Sequence, residues 1–177
     1  MFTSFPIRSA SLSRAYSATH IMQRTITSFG VDEPGEPMAQ LDCGHAQHVR
    51  HEPPFRLRPW VLTAQGRASM LGTGLDCLRC TRLEWPDDFV AYKRTPEFTA
   101  QSVPAGLLRD HATKRGVWAR IIVLEGELRY RIPSLGVDEL LSPLHGGVVV
   151  PELLHSVEPL AAVVFYVEFY RAAVANE

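Results

Sequence analysis

D-C-G-H-A-Q-H-V-R-H (residues 42–51) and D-C-L-R-C (residues 76–80) decide how the first half of this chain folds. They contain all three cysteines, Cys43, Cys77 and Cys80, and three of the seven histidines. A C-x2-C pair met by a distant Cys and His is the donor set of a tetrahedral structural zinc. Cys43 and His45 flank Gly44, and glycine permits the tight turn that brings both donors to one ion. The expected ligands are therefore Cys43, His45, Cys77 and Cys80, with His48 as the alternative to His45 through C-x4-H. Residues 22–81 hold too few apolar side chains for a stable core, so a metal staple is expected there.

Working outward, residues 24–29 alternate β-favouring side chains and residues 31–37 supply turn residues, which predicts a β-hairpin delivering Cys43. Residues 47–51 read as a short return strand. Three prolines in residues 52–60 predict an extended strap that lays Phe55 and Trp60 into a small core. Thr63 is placed to N-cap a short helix and Gly72 to end it, with Gly66 weakening it. After a polar link over residues 81–88 the pattern becomes β-rich. Strands are expected over residues 117–124, 128–132, 139–141, 148–150 and 162–170, punctuated by Gly and Pro as in a β-sandwich or barrel.

The 177 residues carry a net charge of −1, so no global basic field exists to recruit nucleic acid. The longest apolar runs fall well short of the roughly 20 residues of a membrane-spanning helix. Three clustered cysteines point to metal binding in a reducing compartment, and hence to the cytoplasm. Residues 1–21 are Ser-rich, carry Arg8 and Arg14, and have no acidic residue. They read as a disordered tail or a misplaced start with Met22 as the true one, an organelle transit peptide being the alternative. The expected division is 1–21 tail, 22–88 zinc-binding α+β module, 89–172 β-barrel, and 173–177 tail.

Several motifs resemble known families. The C-x-H half-site facing C-x2-C resembles one zinc site of RING-type fingers, but no cysteines are left for a second site. The segments M-Q-R-T-I-T-S-F-G-V-D-E, L-D-C-G-H-A-Q-H-V-R-H-E-P-P-F, R-P-W-V-L-T-A-Q-G-R and L-D-C-L-R-C resemble the bacterial domain-of-unknown-function 3565 family over about residues 22–80. That resemblance implies no known activity. Residues 92–171 resemble the TehB/YeaR-like cupin family, linked by name to tellurite resistance, through Y-K-R-T-P-E-F-T, S-V-P-A-G-L-L, H-A-T-K-R-G-V-W, V-L-E-G-E-L-R-Y and H-S-V-E-P. The resemblance implies a jelly-roll barrel with a pocket at its mouth. It also implies a reduced cupin metal site built from His111 and His155, completed by Glu168, Glu158 or water and holding Zn, Ni or Fe. Thr113 stands where that motif has a second His. No glycine-rich strand–helix cofactor motif accompanies the segment, so methyl transfer is not expected from the resemblance.

These features favour a non-catalytic or weakly catalytic stress protein that binds a metal or a small anionic ligand: a structural zinc knuckle fused to a cupin pocket. A metal-dependent cupin enzyme, a dioxygenase or isomerase, is the first alternative. The second is a nucleic-acid or protein adaptor using Arg50, His51, Arg56, Arg58 and Arg67 as a basic patch. No catalytic residue is assigned, no membrane or nucleic-acid partner is expected, and a homodimer through the sheets is the expected assembly.

Overall fold

The computed structural model describes residues 21–173. The expected tails, apart from Ile21 and Ala173, lie outside the described residues. The chain is mainly β.

Strands β1 (Gln23–Val31), β2 (Pro37–Leu41), β3 (Ala46–His48) and β4 (Gly74–Asp76) form an antiparallel sheet in the order β3-β2-β1-β4. Ile26, Ala39, Leu41 and Leu75 alternate inward and, with Val49 and Val61, make a small core. The β1–β2 turn closes where the Asp32 carboxylate accepts the Glu36 amide at 2.7 Å and Gly35 takes φ 86°.

The proline strap differs from expectation in one respect. Trp60, in a 3-10 turn over Pro59–Leu62, packs edge-on against Phe29 with ring centroids 5.8 Å apart. Phe55 is 90% exposed and enters no core. Glu52 and Arg56 exchange backbone hydrogen bonds of 2.9 and 2.8 Å, which closes a small loop and lifts Phe55 onto its tip. Helix α1 (Ala64–Ser69) starts where Thr63 Oγ1 accepts the Gly66 amide at 3.0 Å, and Gly72 follows at φ 79°. Gly66 has a packing reason: a Cβ there would stand 2.4 Å from the Trp60 carbonyl oxygen. Helix α2 (Leu78–Thr81) is a single turn.

The second half contains β5 (Phe89–Arg94), β6 (Phe98–Thr99), β7 (Trp118–Glu125), β8 (Leu128–Ile132), β9 (Val137–Leu141), β10 (Gly147–Val149), β11 (Ser156–Pro159) and β12 (Val164–Ala172). One sheet runs β10-β7-β12-β5, with β6 also on β12, and a second runs β11-β8-β9. Trp118, Ile121, Val123 and Phe165 from the first sheet and Leu128, Tyr130 and Ile132 from the second are buried in one core. Tyr130 ties the sheets by donating to the Val148 carbonyl at 2.9 Å.

The two halves are joined by specific contacts. Trp118, 0% exposed at the start of β7, donates its indole N–H to the Cys43 carbonyl at 2.8 Å. Arg24 is buried and donates to the Pro151 carbonyl at 2.7 Å, and it pairs with Glu152 at 3.4 Å. Arg115 lies between Asp42 and Glu152, 3.5 Å from each.

Candidate metal centre and ligand chamber

The turn after β2 carries Cys43 and His45. The His45 carbonyl accepts the Leu41 amide at 2.9 Å, and Gly44 takes φ 87°. A Cβ on Gly44 would stand 2.3 Å from the Phe89 ring, so the turn also needs glycine for close approach to β5. Cys77 follows β4 directly and is the N-cap residue of α2, and Cys80 lies within that helical turn.

The structure brings Cys43, His45, Cys77 and Cys80 together, all four buried and with ligand atoms within 4.8 Å of one another. His45 Nδ1 lies 3.6, 3.4 and 3.5 Å from the sulfurs of Cys43, Cys77 and Cys80, and the Cys43 and Cys77 sulfurs are 3.9 Å apart. A tetrahedron with metal–sulfur bonds of about 2.3 Å and a metal–nitrogen bond of about 2.0–2.1 Å has S···S edges of about 3.8 Å and S···N edges of about 3.6 Å. The donor spacing fits a four-coordinate metal.

The tautomer fits as well. His45 Nε2 is 3.1 Å from the Glu84 carbonyl, which can only accept, so that nitrogen carries the proton. Nδ1 then points its lone pair at the three sulfurs, as a metal ligand does with its second nitrogen anchored. The sulfurs share charge unevenly. Hydrogen bonds from Cys43 and Cys80 hold the Cys77 thiol well below its usual range. Contact with Cys77, helped by burial, pushes Cys43 up to about 11, and contact with Cys43 and Cys77 pushes Cys80 up. Ionising all three of these buried sulfurs side by side would need a cation among them. His48 is elsewhere, on the hairpin with Asp32, whose carboxylate lies 2.6 Å from its Nε2.

The second constellation is arranged differently from expectation. His111 and His155 do meet: their backbones exchange hydrogen bonds of 3.0 and 2.9 Å and their ring centroids are 4.2 Å apart. Glu168 does not join them. A strand has a period of two, so Phe165, Val167 and Phe169 share one face of β12 and line the cavity. Glu168 therefore faces the other way, where it accepts the Tyr170 hydroxyl. Glu158 pairs with Arg131. Among the described residues, no third His, Cys, Asp or Glu ligand atom completes a group at the histidine pair.

What surrounds the pair is a cavity of about 700 Å³. Its walls are predominantly apolar, with Leu107, Ile121, Val149, Phe165 and Val167 among them, and Tyr92, Lys93 and Lys114 also border it. Alternation within β12 foreshadows part of the lining, and the family resemblance implies a pocket. The unpatterned β5, β6 and β11, which supply further wall residues, were not legible as strands.

His155 is 3% exposed, and burial lowers its pKa to about 4. An unfolded His takes up its proton near pH 6.5. Between these values the unfolded chain binds more protons, so stability is fully present above about pH 6.5 and is lost as pH falls towards 4. The loss amounts to about 3 kcal/mol by pH 4. Urea unfolding at pH 7 and pH 4.5 should show a steeper acid loss in the native protein than in His155→Gln; equal slopes would refute the assignment.

This geometry defines a mainly β protein with a buried Cys3His cluster beside an apolar chamber. Residues 27–84 match the family described as protein of unknown function (DUF3565), and residues 93–167 match the TehB-like domain family. Over 80 residues the chain is 30% identical to the Probable S-adenosyl-L-methionine-dependent methyltransferase TehB of Haemophilus influenzae. That match takes in 42% of this chain and 28% of the relative, so the chain spans little more than a quarter of that protein's length. The crystal structure of TehB from Haemophilus influenzae aligns with a TM-score of 0.45 at 26% identity, over 49% of this chain and 32% of that one. A crystal structure of a protein from E. coli strain K12 aligns with a TM-score of 0.47 at 25% identity, over 51% of this chain and 98% of that one.

These relatives correct the functional expectation. The curated relative is named as a methyltransferase, which displaces the non-catalytic metal- or ligand-binding stress protein and the cupin label with it. The cupin dioxygenase or isomerase alternative falls on the same ground, and Glu168 points away from the site it would need to complete. The adaptor alternative loses part of its basic patch as well, since Arg50 is paired with Glu36 and Arg67 is spent on the Val61 carbonyl at 2.6 Å. No helix among the described residues is long and apolar enough to cross a membrane.

Proposed function

We propose that this chain serves S-adenosylmethionine-dependent methylation as the unit that holds the methyl acceptor, with a structural zinc in the Cys3His cluster. The observation that carries the reading is the apolar chamber, whose lining comes almost entirely from residues 93–167, the segment matched to the TehB-like family. A chamber of this size and lining takes a small apolar molecule and strips its water, which leaves an acceptor atom poorly solvated and more nucleophilic. S-adenosylmethionine itself is a sulfonium carrying an amino-acid zwitterion and a ribose. Most of those groups would face apolar walls there, so the chamber suits the acceptor and the donor is held on another surface.

On this reading the first half is a zinc-stapled α+β module and the second a jelly-roll-type sandwich. Cys43, His45, Cys77 and Cys80 hold the ion, which supplies only cross-linking because all four positions are protein donors. Three thiols kept reduced suit a reducing compartment, which favours the cytoplasm.

The test uses the full chain with tritiated S-adenosylmethionine and a panel of small apolar phenols, thiols and amines, with and without the full-length H. influenzae relative. The chain should raise label transfer to at least one acceptor. Gly106→Trp should abolish the gain, since Gly106 borders the cavity and a Cβ there meets nothing within 4 Å. No transfer and no acceptor binding in any combination would overturn the reading.

A further inference from the structure

The two chamber imidazoles share a hydrogen-bonding pattern that the functional reading has not used. His155 Nδ1 lies 2.8 Å from the Leu153 carbonyl, and His111 Nδ1 lies 2.9 Å from the Arg109 carbonyl. A carbonyl only accepts, so in each neutral ring the proton sits on Nδ1 and Nε2 is left as a bare acceptor. Neither Nε2 has a hydrogen-bond partner among the described residues. They are not sealed in protein either: the sealed, unpartnered side-chain atoms there are Arg24 Nε and Asp42 Oδ1. His155 is itself more than nine-tenths buried and borders the cavity, so its free acceptor opens into the chamber.

Two acceptors on which no protein group donates form a selective polar feature in an apolar chamber. A molecule that brings an X–H group satisfies them, and a molecule of the same shape without one leaves them unpaired. Lys93 and Lys114, which also border the cavity, have no ion-pair or hydrogen-bond partner among the described residues, so the local field favours an acceptor that is weakly acidic.

We infer that the chamber selects apolar hydroxyl and thiol compounds by accepting their X–H hydrogen at the Nε2 atoms of His111 and His155. This rests on the acceptor-holding function proposed above and names its substrate class. It also accounts for release. The product ether or thioether has no donor, so it loses the hydrogen bond that selected its precursor.

The experiment is calorimetric titration of the full chain with matched pairs: 4-propylphenol against 4-propylanisole, and hexanethiol against methyl hexyl sulfide. The phenol and the thiol should bind about tenfold or more tightly than their methylated partners. His155→Phe and His111→Phe together should bring each pair to equal affinity while binding persists. Should the double variant fail to fold, imidazole 15N spectra of the native protein give the same answer: Nε2 resonances shift with the phenol and not with the anisole. Equal binding within each pair, or a preference that survives the double substitution, overturns the inference and leaves the acceptor chamber standing. Failure of every compound to bind, with no label transfer, overturns both.

Discussion

Cys80→Ser should lower the zinc content of the full chain from one ion to none and unfold residues 22–81 at room temperature. Structural zinc contributes about 10–16 kcal/mol of apparent binding free energy at pH 7, as much as or more than the roughly 5–15 kcal/mol stability of a whole domain. The metal has much to replace, because the core beneath it is little more than Ile26, Ala39, Leu41, Val49, Val61 and Leu75. Elemental analysis on untagged protein gives the stoichiometry, and amide spectra show which residues lose dispersion. His48→Ala should change neither, since His48 sits with Asp32 on the hairpin. Full retention of dispersed first-half resonances under a strong chelator would refute the metal staple.

Trp118→Ala should cost about 3–5 kcal/mol, the range for removing a fully buried large aromatic. Its expected signature is a loss of cooperativity. Trp118 packs edge-on against both His45 and Trp85, with ring centroids 5.4 and 5.6 Å away, and holds the Cys43 carbonyl. Without it, denaturant unfolding should split into two transitions, one sensitive to chelator and one not. Trp118→Phe keeps most of the packing and removes only the N–H, so it should cost about 1–3 kcal/mol, the penalty of stranding a buried acceptor. A single transition displaced by less than 1 kcal/mol in Trp118→Ala would show that the halves are not coupled through this side chain.

The Cys3His cluster was legible because thiol and imidazole chemistry constrains spacing. Cys43, Gly44 and His45 can reach one ion in few ways, and C-x2-C closes the set. The β7 strand was legible as a run of β-branched residues, and β8 because it buries one face and alternates accordingly. Glu168 was misplaced by the same rule applied one residue out: its apolar neighbours at 165, 167 and 169 point inward, which sends residue 168 outward. Phe55 was misplaced because an aromatic residue in a proline strap reads as an anchor, whereas the local Glu52–Arg56 pairing makes it the tip of a loop. The resemblance implied a pocket, but its walls were beyond reach, because they depend on β5, β6 and β11, which carry mixed side chains and are strands only through their partners.

The pairing of β12 has a consequence for how the chain comes off the ribosome. β12 lies between β5 and β7, so the strand made last among those described is the one that joins two strands made long before it. While residues 164–172 are still inside the exit tunnel, β5 has no neighbour and Phe98 and the inner face of β7 stand open to water. The first half can close meanwhile, since all four of its strands are made before β5. Synthesis should thus pass through a stage with a finished amino-terminal module and a waiting, sticky half-sheet, in which long-range closure sets the pace and self-association competes with it.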